Sequence, residues 1–366
     1  MPLSVDVLAP AGLPAGERAR WARLSARAAP GNIFAQDWFM EPALRHCGTD
    51  ASVKLAVVRQ ASNEWLGVLP ITFEAALGRC PLPSFHGWHA TNQFLGSPMI
   101  LPGAQRAFWQ ALLAHLDHRP GIALGLCCHA LPLDDPGTAA LTSLCAEQGR
   151  LIHCTERFER PARIPQGKAA SHPRANRKLE KRLDTLEQRL EQAMGPVSLL
   201  LHTNAEETEV WIGAFLALER AGWKGRAGSA LASSAATAGL FREAIRHGQR
   251  VGAVRLASLR AGDDIIAMTC WFVAQGHGYG FKMAYDEALR PLAPGRLLMR
   301  RVLRLLDGDA PLLFDTCNPP DTPSDAFWPD RRELGSFAVA IGGTRRRALF
   351  AAMLKAQARW RGRRGR

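Results

Sequence analysis

Residues 251–298 contain the pattern that restricts the fold of this chain most. Val251–Arg260 and Asp264–Ala274 flank a short turn with a central glycine, and together they predict a β-hairpin. Gly278–Tyr285 predicts a third strand, and a turn rich in proline and glycine leads into a helix at Gly295–Leu306. Antiparallel strands that run into a helix are typical of a mixed α/β fold, in which helices flank a mostly antiparallel sheet.

The rest of the chain repeats this order. The first half predicts the hairpin Val53–Gln60 and Trp65–Phe73, the strand Gln93–Ile100, the helix Ala104–Leu116, the strand Ile122–Cys128, the helix Gly137–Gln148 and the strand Leu151–Phe158. Both halves therefore read hairpin, strand, helix, strand, helix, strand. We expect two α/β domains of one type, over residues 1–165 and 166–344, followed by a basic amphipathic helix or tail over residues 345–366.

A long helix opens the second half. Pro173 suits its first turn, and an apolar stripe follows at helical spacing, formed by Leu179, Leu183, Leu186, Leu190 and Met194. Its other face is basic and belongs to a cluster of cations over residues 160–182, which includes Lys168 and Arg174. Solvated surface and contact with a polyanion both fit this face.

The net charge of +13 is concentrated in two places rather than spread over the chain. Nine of the 46 basic residues, and no acid, lie between Arg345 and Arg366, and without them the excess of basic over acidic residues falls to four. Much of the remaining excess is the cluster at 160–182. The charge therefore suggests attachment to an anionic surface more than a nucleic-acid-binding body.

The sequence predicts a cytoplasmic protein, and attachment to the inner face of the membrane stays open. The N-terminus lacks the pattern of a secretory signal, and no apolar run has the length of a membrane span. The eight cysteines show no regular spacing, which favours free thiols in a reducing compartment. We expect no metal site, because the adjacent Cys127 and Cys128 would point to opposite faces of a strand.

Candidate site residues gather where the third strand ends. Tyr279 and Tyr285, the two tyrosines of the chain, both lie on this strand, and Asp286 follows it. A helix N-terminus at Pro294-Gly295 offers free backbone N–H groups and a partial positive charge, which suit a phosphate group. Asp315 ends the next predicted strand, at Leu312–Thr316.

Residues 251–298 resemble the core of the GNAT acyltransferase superfamily, an antiparallel sheet followed by a helix that holds the pyrophosphate of acyl-coenzyme A. The superfamily loop reads Gln/Arg-x-x-Gly-x-Gly/Ala. Here Arg290-Pro291-Leu292-Ala293-Pro294-Gly295 keeps the Arg and the last Gly but has Ala293 at the first Gly. Pro294 also removes one backbone donor.

A closer resemblance, over about residues 170–340, is to the CelD-like branch, which is associated with cellulose and exopolysaccharide synthesis. This branch is related to FemAB-like transferases with two tandem GNAT domains. Three segments carry the resemblance: Gly222-Trp223-Lys224-Gly225, Phe281–Glu287 with Ala293-Pro294-Gly295, and Phe314–Asn318 with Phe327–Arg332.

The resemblance implies direct acyl transfer from a thioester to an amine or hydroxyl. Tyr285 is the predicted acid, and Asp286, followed by Asp315, is the predicted base. The donor is expected at Arg290, Ala293, Pro294, Gly295 and Arg296. Substrate is expected at Trp223, Lys224, Arg226, Lys282 and Asn318.

Three functions fit the sequence. The first is an acyl-CoA-dependent N- or O-acyltransferase, with acetyl-CoA as the expected donor, that acts on a sugar, a polysaccharide precursor or a related metabolite. The second uses aminoacyl-tRNA as donor, as FemAB-like proteins do, although no aromatic residues interleave with the basic clusters. The third is a non-catalytic partner in polysaccharide synthesis that docks on anionic lipid through the basic tail.

Overall fold

The computed structural model describes residues 3–28, 32–48, 52–77, 80–164, 177–308, 313–322, 325–328 and 330–364. Pro173, Lys168 and Arg174, which the sequence assigns to the long helix and its basic cluster, lie outside these ranges. The chain forms two compact units, one of Met1–Phe158 with Glu333–Arg366 and one of Glu159–Arg332. Within the described ranges no helix has both the length and the apolarity that crossing a bilayer requires.

The elements of the first unit are β1 Ser4–Leu8, α1 Ala15–Arg27, α2 Asp37–Cys47, β2 Lys54–Arg59, β3 Trp65–Glu74, β4 Ser84–Gly87, β5 Met99–Ile100, α3 Gln105–His118, β6 Gly125–Pro132, α4 Pro136–Glu147, the first part of β7 Ile152–Arg163, most of β13 Asp330–Ala340, and α10 Thr344–Arg364. The strands β1, β2, β3, β4, β6 and β13 are neighbours in that order. The short β5 pairs with β3.

The elements of the second unit after β7 are α5 Arg177–Met194, β8 Val197–His202, α6 Ala205–Ala221, α7 Trp223–Arg226, α8 Ala235–Arg250, β9 Val254–Ala261, β10 Asp264–Ala274, β11 His277–Tyr285, α9 Pro294–Gly308 and β12 Leu313–Asp315. The strands of this unit lie in the order β7, β12, β11, β10, β9, β8. The predicted hairpin, third strand and helix of residues 251–308 are thus confirmed.

Among the strand pairs that the structure describes within each unit, one is parallel and the others are antiparallel. In the first unit β4 runs parallel to β6, and in the second β11 runs parallel to β12. Each parallel pair spans only three residue pairs. The predicted mixed α/β class is confirmed, and the shared order of elements in the two halves corresponds to a shared sheet pattern.

The second unit keeps apolar side chains on both faces of its sheet. On one face α5 and α9 cover a core that includes Leu183, Leu190, Trp271 and Leu298, so the predicted apolar stripe of α5 is confirmed. Aromatic rings stack on the other face, where Phe215 of α6 and Phe241 of α8 lie 5.1 Å apart between ring centroids.

Ion pairs join α5 to α9. Arg300 of α9 is 3% exposed, and its guanidinium contacts Asp184 at 2.8 Å and also Glu187. Glu187 also accepts from Arg301. The acids of α5 therefore face α9, whereas its basic residues Lys181 and Arg182 are exposed. This contact holds the helix whose N-terminus belongs to the candidate site.

The C-terminal helix corrects the predicted domain limits. Residues 333–366 belong to the compact unit of residues 1–158 rather than to the second domain or a separate tail. Phe350 and Leu354 of α10 are buried in a core cluster with Leu82 and Leu124. Arg347 pairs with Asp117 at 2.5 Å, so part of the basic tail stabilises the fold.

The predicted strand Gln93–Ile100 is wrong except for its last two residues, which form β5. The side-chain amide of Asn32 donates to the carbonyls of Leu95 and Ser97, at 3.3 and 2.7 Å. A side chain therefore takes the carbonyl bonds that a neighbouring strand would otherwise provide.

We expect Arg300→Ala to lower the free energy of unfolding by about 2–3 kcal/mol, because it leaves the carboxylates of Asp184 and Glu187 without their buried partner. Arg304→Ala is the control, since Arg304 is exposed and its contact with Glu180 is 3.7 Å, a geometry that contributes under about 1 kcal/mol. Urea unfolding measures both variants. Equal losses would contradict a special role for Arg300.

Candidate active site

A small cleft lies where β11 ends, between that strand and the turn that joins α6 to α7. It has a volume of about 30 Å³ and is lined by Leu218, Glu219, Gly222, Trp223, Lys224, Met283, Ala284, Tyr285 and Glu287. Three residues predicted from sequence, Trp223, Lys224 and Tyr285, therefore meet in one place. Trp223 is 53% exposed at the rim, so it is available to a ligand.

One edge of β11 is unpaired beside this cleft. β12 pairs with β11 only from His277 to Tyr279, and no other described strand of the unit pairs with that edge beyond Gly280. The N–H of Asp286 donates to Ile266 of β10, so backbone groups at Met283 and Tyr285 point to the opposite, unpaired edge. Donors and acceptors of a strand edge are ready to bind an extended ligand.

Lys224 contacts this edge directly. Its ammonium donates to the carbonyl of Met283 at 3.2 Å and to the carboxylate of Glu219 at 2.7 Å. Glu219 is buried and also accepts the backbone N–H of Leu231 at 2.7 Å. The carboxylate of Glu219 therefore fixes the position of Lys224 at the edge of the strand.

Glu219 is a site residue that sequence reasoning missed. It follows Trp211 and Phe215 at intervals of four on α6, and all three residues are buried. The sequence does contain a sign of its role, because Glu219 is an acid on the apolar stripe of a helix and buried carboxylates are rare unless they are paired.

Glu287 is a second site residue that the sequence did not predict, and it binds the turn that carries Trp223 and Arg226. Its carboxylate accepts the backbone N–H of Trp223 at 2.6 Å and pairs with the guanidinium of Arg226. The bond from Arg226, followed by that from the N–H of Trp223, lowers the pKa of Glu287. Arg226, which the sequence assigns to substrate binding, is thus engaged in an ion pair that holds the turn.

The predicted donor-binding residues form the start of α9. Ala293 has a φ of 54°, the left-handed conformation that favours glycine, at the position where the resembled loop has its first Gly. Its carbonyl accepts the N–H groups of Arg296 and Leu297, so α9 begins at Pro294. A Cβ on Gly295 would lie 3.2 Å from the ring of Tyr285, which places Tyr285 against the helix N-terminus. Arg290 is exposed on the preceding 3₁₀ turn and Arg296 is half-buried.

The two predicted bases occupy different environments. Asp286 is half-buried beside Tyr285, and one of its carboxylate oxygens accepts the N–H of Ala288 at 2.9 Å, so it caps the turn that follows β11. This cap uses one carboxylate oxygen of Asp286, so the second oxygen can make a further contact.

Asp315 does not join the site, and its predicted catalytic role is corrected. The residue is 0% exposed, and its carboxylate lies 3.3 Å from Arg332 and 3.7 Å from Arg160, two other buried side chains. It also accepts the N–H of Cys317 at 2.8 Å. A carboxylate enclosed by two guanidinium groups cannot reach a substrate, so Asp315 stabilises the unit. Asn318, predicted to bind substrate, is exposed and does not line the cleft.

Lys282 lies on the face of β11 that α6 and α8 cover. Burial, followed by the charge of Lys224, lowers the pKa of its ammonium to about 8. Its amine lies 5.7 Å from the ring centroid of Phe281. An amine with this pKa is partly neutral near neutral pH, whereas Cys270 opposite it stays protonated because burial raises its pKa to about 12.

No group of three His, Cys, Asp or Glu side chains in these ranges could hold an ion. Cys127 and Cys128 are buried in β6, whereas His153 and Cys154 are exposed on β7.

The comparisons with known proteins agree with this geometry. Residues 177–311 match the family model described as an acetyltransferase (GNAT) domain. The second unit therefore contains a GNAT-type domain. This match supports a transferase and includes the cleft, the edge of β11 and the start of α9.

Solved structures are similar over nearly the whole chain, at low identity. The crystal structure of FemX has 9% identity and a TM-score of 0.53, and the match covers 88% of this chain and 95% of that one. A conserved protein of unknown function from Bacteroides thetaiotaomicron has 9% identity, a TM-score of 0.55 and coverage of 88% and 97%. The C-terminal domain of a putative lysylphosphatidylglycerol synthetase from Agrobacterium fabrum has 12% identity, a TM-score of 0.51 and coverage of 92% and 95%.

These likenesses show the fold alone, and they agree with the predicted mixed α/β class. A search of curated protein sequences finds no significant match to this chain.

The tight turn at Gly225 leads to a prediction about stability. A Cβ on Gly225 would lie 1.8 Å from the carbonyl oxygen of Arg220, so Gly225→Ala must displace the turn that carries Trp223 and Lys224. We expect a loss of about 1–3 kcal/mol in the free energy of unfolding. Gly213→Ala on α6 is the control: it has open space and should stabilise the helix by about 0.5–1 kcal/mol. Urea unfolding of both variants measures the difference, and two stabilised variants would show that the turn is not as tight as described.

Lys282 gives a prediction about pH. Its pKa is near 8 in the folded protein and 10.5 ordinarily, so the folded state releases this proton first as the pH rises. Stability should therefore increase with pH between these values, relative to Lys282→Met, by at most about 1.4 kcal/mol per pH unit. Urea unfolding at pH 7.5, 9 and 10 measures the free energy of unfolding of both proteins. If the difference in this free energy between the two proteins does not change with pH, the pKa of Lys282 is not lowered.

Proposed function

We propose that this chain is an acyl-CoA-dependent N- or O-acyltransferase, with acetyl-CoA as the donor and a sugar, a polysaccharide precursor or a related metabolite as the acceptor. One observation carries the proposal: the unpaired edge of β11 ends at Tyr285, against the first turn of α9. The arm of a donor pairs with that edge, and the first turn of α9 beside Tyr285 faces its phosphates.

The reaction is a direct transfer. The nitrogen or oxygen of the acceptor attacks the thioester carbonyl, the new C–N or C–O bond forms, and the C–S bond breaks. The backbone N–H groups at Met283 and Tyr285 are the donors available to the oxyanion on this edge. Tyr285 donates its phenolic proton to the departing thiolate, and Asp286 takes the proton of the acceptor.

The start of α9 fits the phosphates of such a donor, with fewer backbone donors than the resembled loop. Gly295 supplies an N–H at the positive end of the helix dipole, Pro294 supplies none, and Arg290 and Arg296 add positive charge nearby. The left-handed Ala293 gives this loop the turn that glycine provides in the superfamily pattern. We therefore expect modest affinity for the donor.

The acceptor is assigned to the exposed rim of the cleft. Trp223 offers an exposed ring, of the kind that stacks on a sugar face, and Lys224 is held in place by Glu219. An exopolysaccharide precursor, as in the CelD-like branch, combines a sugar ring with anionic groups.

A second candidate is transfer from aminoacyl-tRNA. The match to FemX over 88% of the chain favours it, together with the exposed basic residues of α5. The donor site on β11 would then hold the aminoacyl ester, and the tRNA phosphates would contact the basic helix. The remaining candidate, a docking protein on anionic lipid, rests on the charge of the C-terminal segment, of which Arg346 and Arg347 make intramolecular bonds.

The proposal predicts that Tyr285→Phe and Asp286→Asn lower kcat by about 10²-fold or more, because each removes a proton transfer, while the Kd for acetyl-CoA changes less than about twofold. Release of the free thiol from acetyl-CoA with a panel of amino sugars and sugar nucleotides measures kcat, and calorimetry measures Kd. Asp264→Asn, at an exposed residue at the start of β10, is the control.

Two results would reject the assignments. Unchanged kcat in both variants would exclude Tyr285 and Asp286, whatever the acceptor. Absence of acetyl-CoA binding at millimolar concentration, with transfer from charged tRNA, would replace the first candidate by the second.

A further inference from the structure

The second unit contains another cavity, which shares no lining residue with the cleft at β11. It has a volume of about 470 Å³ and is lined by residues of β8, β9 and β10, of the end of α8 and of the last turn of α9. Its contact with α9 is at Leu305 and Leu306, about 15 Å along the helix from Gly295 at a rise of about 1.5 Å per residue. This volume is within the range of small-molecule sites.

Strand register shows which side chains share the face of the sheet that lines this cavity. Leu201 of β8 pairs with Ala257 of β9, and Arg255 of β9 pairs with Trp271 of β10. Paired residues lie on the same face of a sheet, and so do residues two apart on one strand. Ala257 and Trp271 belong to the core that α9 covers. The lining side chains on the face towards α9 are therefore Leu201, Arg255, Trp271 and Val273.

The apolar part of this lining is open to water. Leu201 is 44% exposed, and Val273 and Leu305 are half-buried. Trp271 and Leu306, at 5% and 2% exposure, belong to the core and hold the wall in place. An apolar group that packs against Leu201, Val273 and Leu305 would remove its own surface and theirs from water, and this burial favours binding.

Arg255 places a positive charge beside this apolar surface, and its side chain is exposed. Its Nη1 donates to the carbonyls of Gly252 and Val254, at 2.8 and 3.0 Å, so the guanidinium is oriented without a ligand. Its Nε and Nη2 donate to no described residue, and no described carboxylate forms an ion pair with it. Because a guanidinium offers a carboxylate two parallel N–H donors in one plane, Arg255 is ready to bind an anion.

The described residues that line the cavity include no aspartate or glutamate that could neutralise Arg255. The other titratable group of the lining is His202, whose Nε2 lies 2.9 Å from the hydroxyl of Ser258 and whose Nδ1 lies 3.4 Å from the carboxylate of Glu207. Burial lowers the pKa of His202, against the opposing effect of Glu207, so the imidazole is neutral at neutral pH. The lining therefore has one positive charge without a counter-ion, which an anionic ligand would supply.

We propose that this cavity binds a small organic anion, a carboxylate with an apolar ring or chain. The carboxylate accepts hydrogen bonds from Nε and Nη2 of Arg255, and the apolar part packs against Leu201, Val273 and Leu305. Both halves of the ligand are needed, because the lining combines one exposed cation with an open apolar wall. The site is separate from the proposed acyl transfer, and neither depends on the other.

Three probes test the two halves of the ligand by calorimetry at neutral pH, with the full-length protein and without any acyl donor. 2-Naphthoate has the ring and the charge, 2-naphthamide keeps the ring without the charge, and acetate keeps the charge without the ring. We expect 2-naphthoate to bind saturably and 2-naphthamide to bind at least about tenfold more weakly, as the loss of hydrogen bonds to a charged group predicts. Acetate should give no measurable binding at the same concentrations.

Two arginines of β9 locate the anion. Arg255→Met should reduce the affinity for 2-naphthoate to that for 2-naphthamide and leave the affinity for the amide unchanged, because it removes only the charged donors. Arg260→Met is the control, since it removes the same charge from the opposite face of the strand. This control should change the affinity for 2-naphthoate by less than about twofold.

A pair of exposed leucines on β8 locates the apolar part. Leu201→Glu puts a carboxylate on the same face as Arg255 and should abolish binding of 2-naphthoate, whereas Leu200→Glu on the opposite face should leave it unchanged. Thermal unfolding shows that each variant is folded. Absence of saturable binding of 2-naphthoate, equal affinity for 2-naphthamide, or unchanged binding of 2-naphthoate in Arg255→Met would each overturn the proposal.

Discussion

The short parallel contact between β11 and β12 is the constraint on which the candidate site depends. Because it ends after three residue pairs, Met283 and Tyr285 keep backbone groups on an unpaired edge inside an otherwise paired sheet. A sheet edge is usually a hazard, since it invites another chain to pair. Here the ammonium of Lys224 binds the carbonyl of Met283 on this edge. The first turn of α9 lies beside Tyr285, where the edge ends, so the unpaired part of the strand is short and leads to a helix N-terminus.

Two sets of charged pairs keep this arrangement in place, and both lie within the second unit. Glu219 and Glu287 fix the turn that carries Trp223 and Lys224. Arg300 fixes α9 to α5, so the helix that would face the donor phosphates is anchored along its length. Carboxylates therefore position the residues around the candidate site.

Much of the second unit could be predicted from the sequence, because its strands and helices have clear apolar periods and glycine-rich turns. The sequence predicts Trp223 and Lys224 through the family resemblance of their segment, and Tyr285 through its place near the end of a strand. Asp315 was misread, since its partners Arg160 and Arg332 are distant in sequence and only the fold shows that the carboxylate is enclosed. The sequence assigns residues 333–344 to the second domain and residues 345–366 to a separate tail, because only the fold shows that both groups with residues 1–158.

The central claim is that the unpaired edge of β11 receives an extended acyl donor. Residue-resolved hydrogen exchange by NMR, with and without saturating acetyl-CoA, tests it most directly. The account predicts that the amides of Met283 and Tyr285 exchange at least about tenfold more slowly with the donor bound, while those of Lys282 and Ala284, which face β10, stay the same. Bound donor with unchanged exchange at Met283 and Tyr285 would place the donor elsewhere and contradict the account.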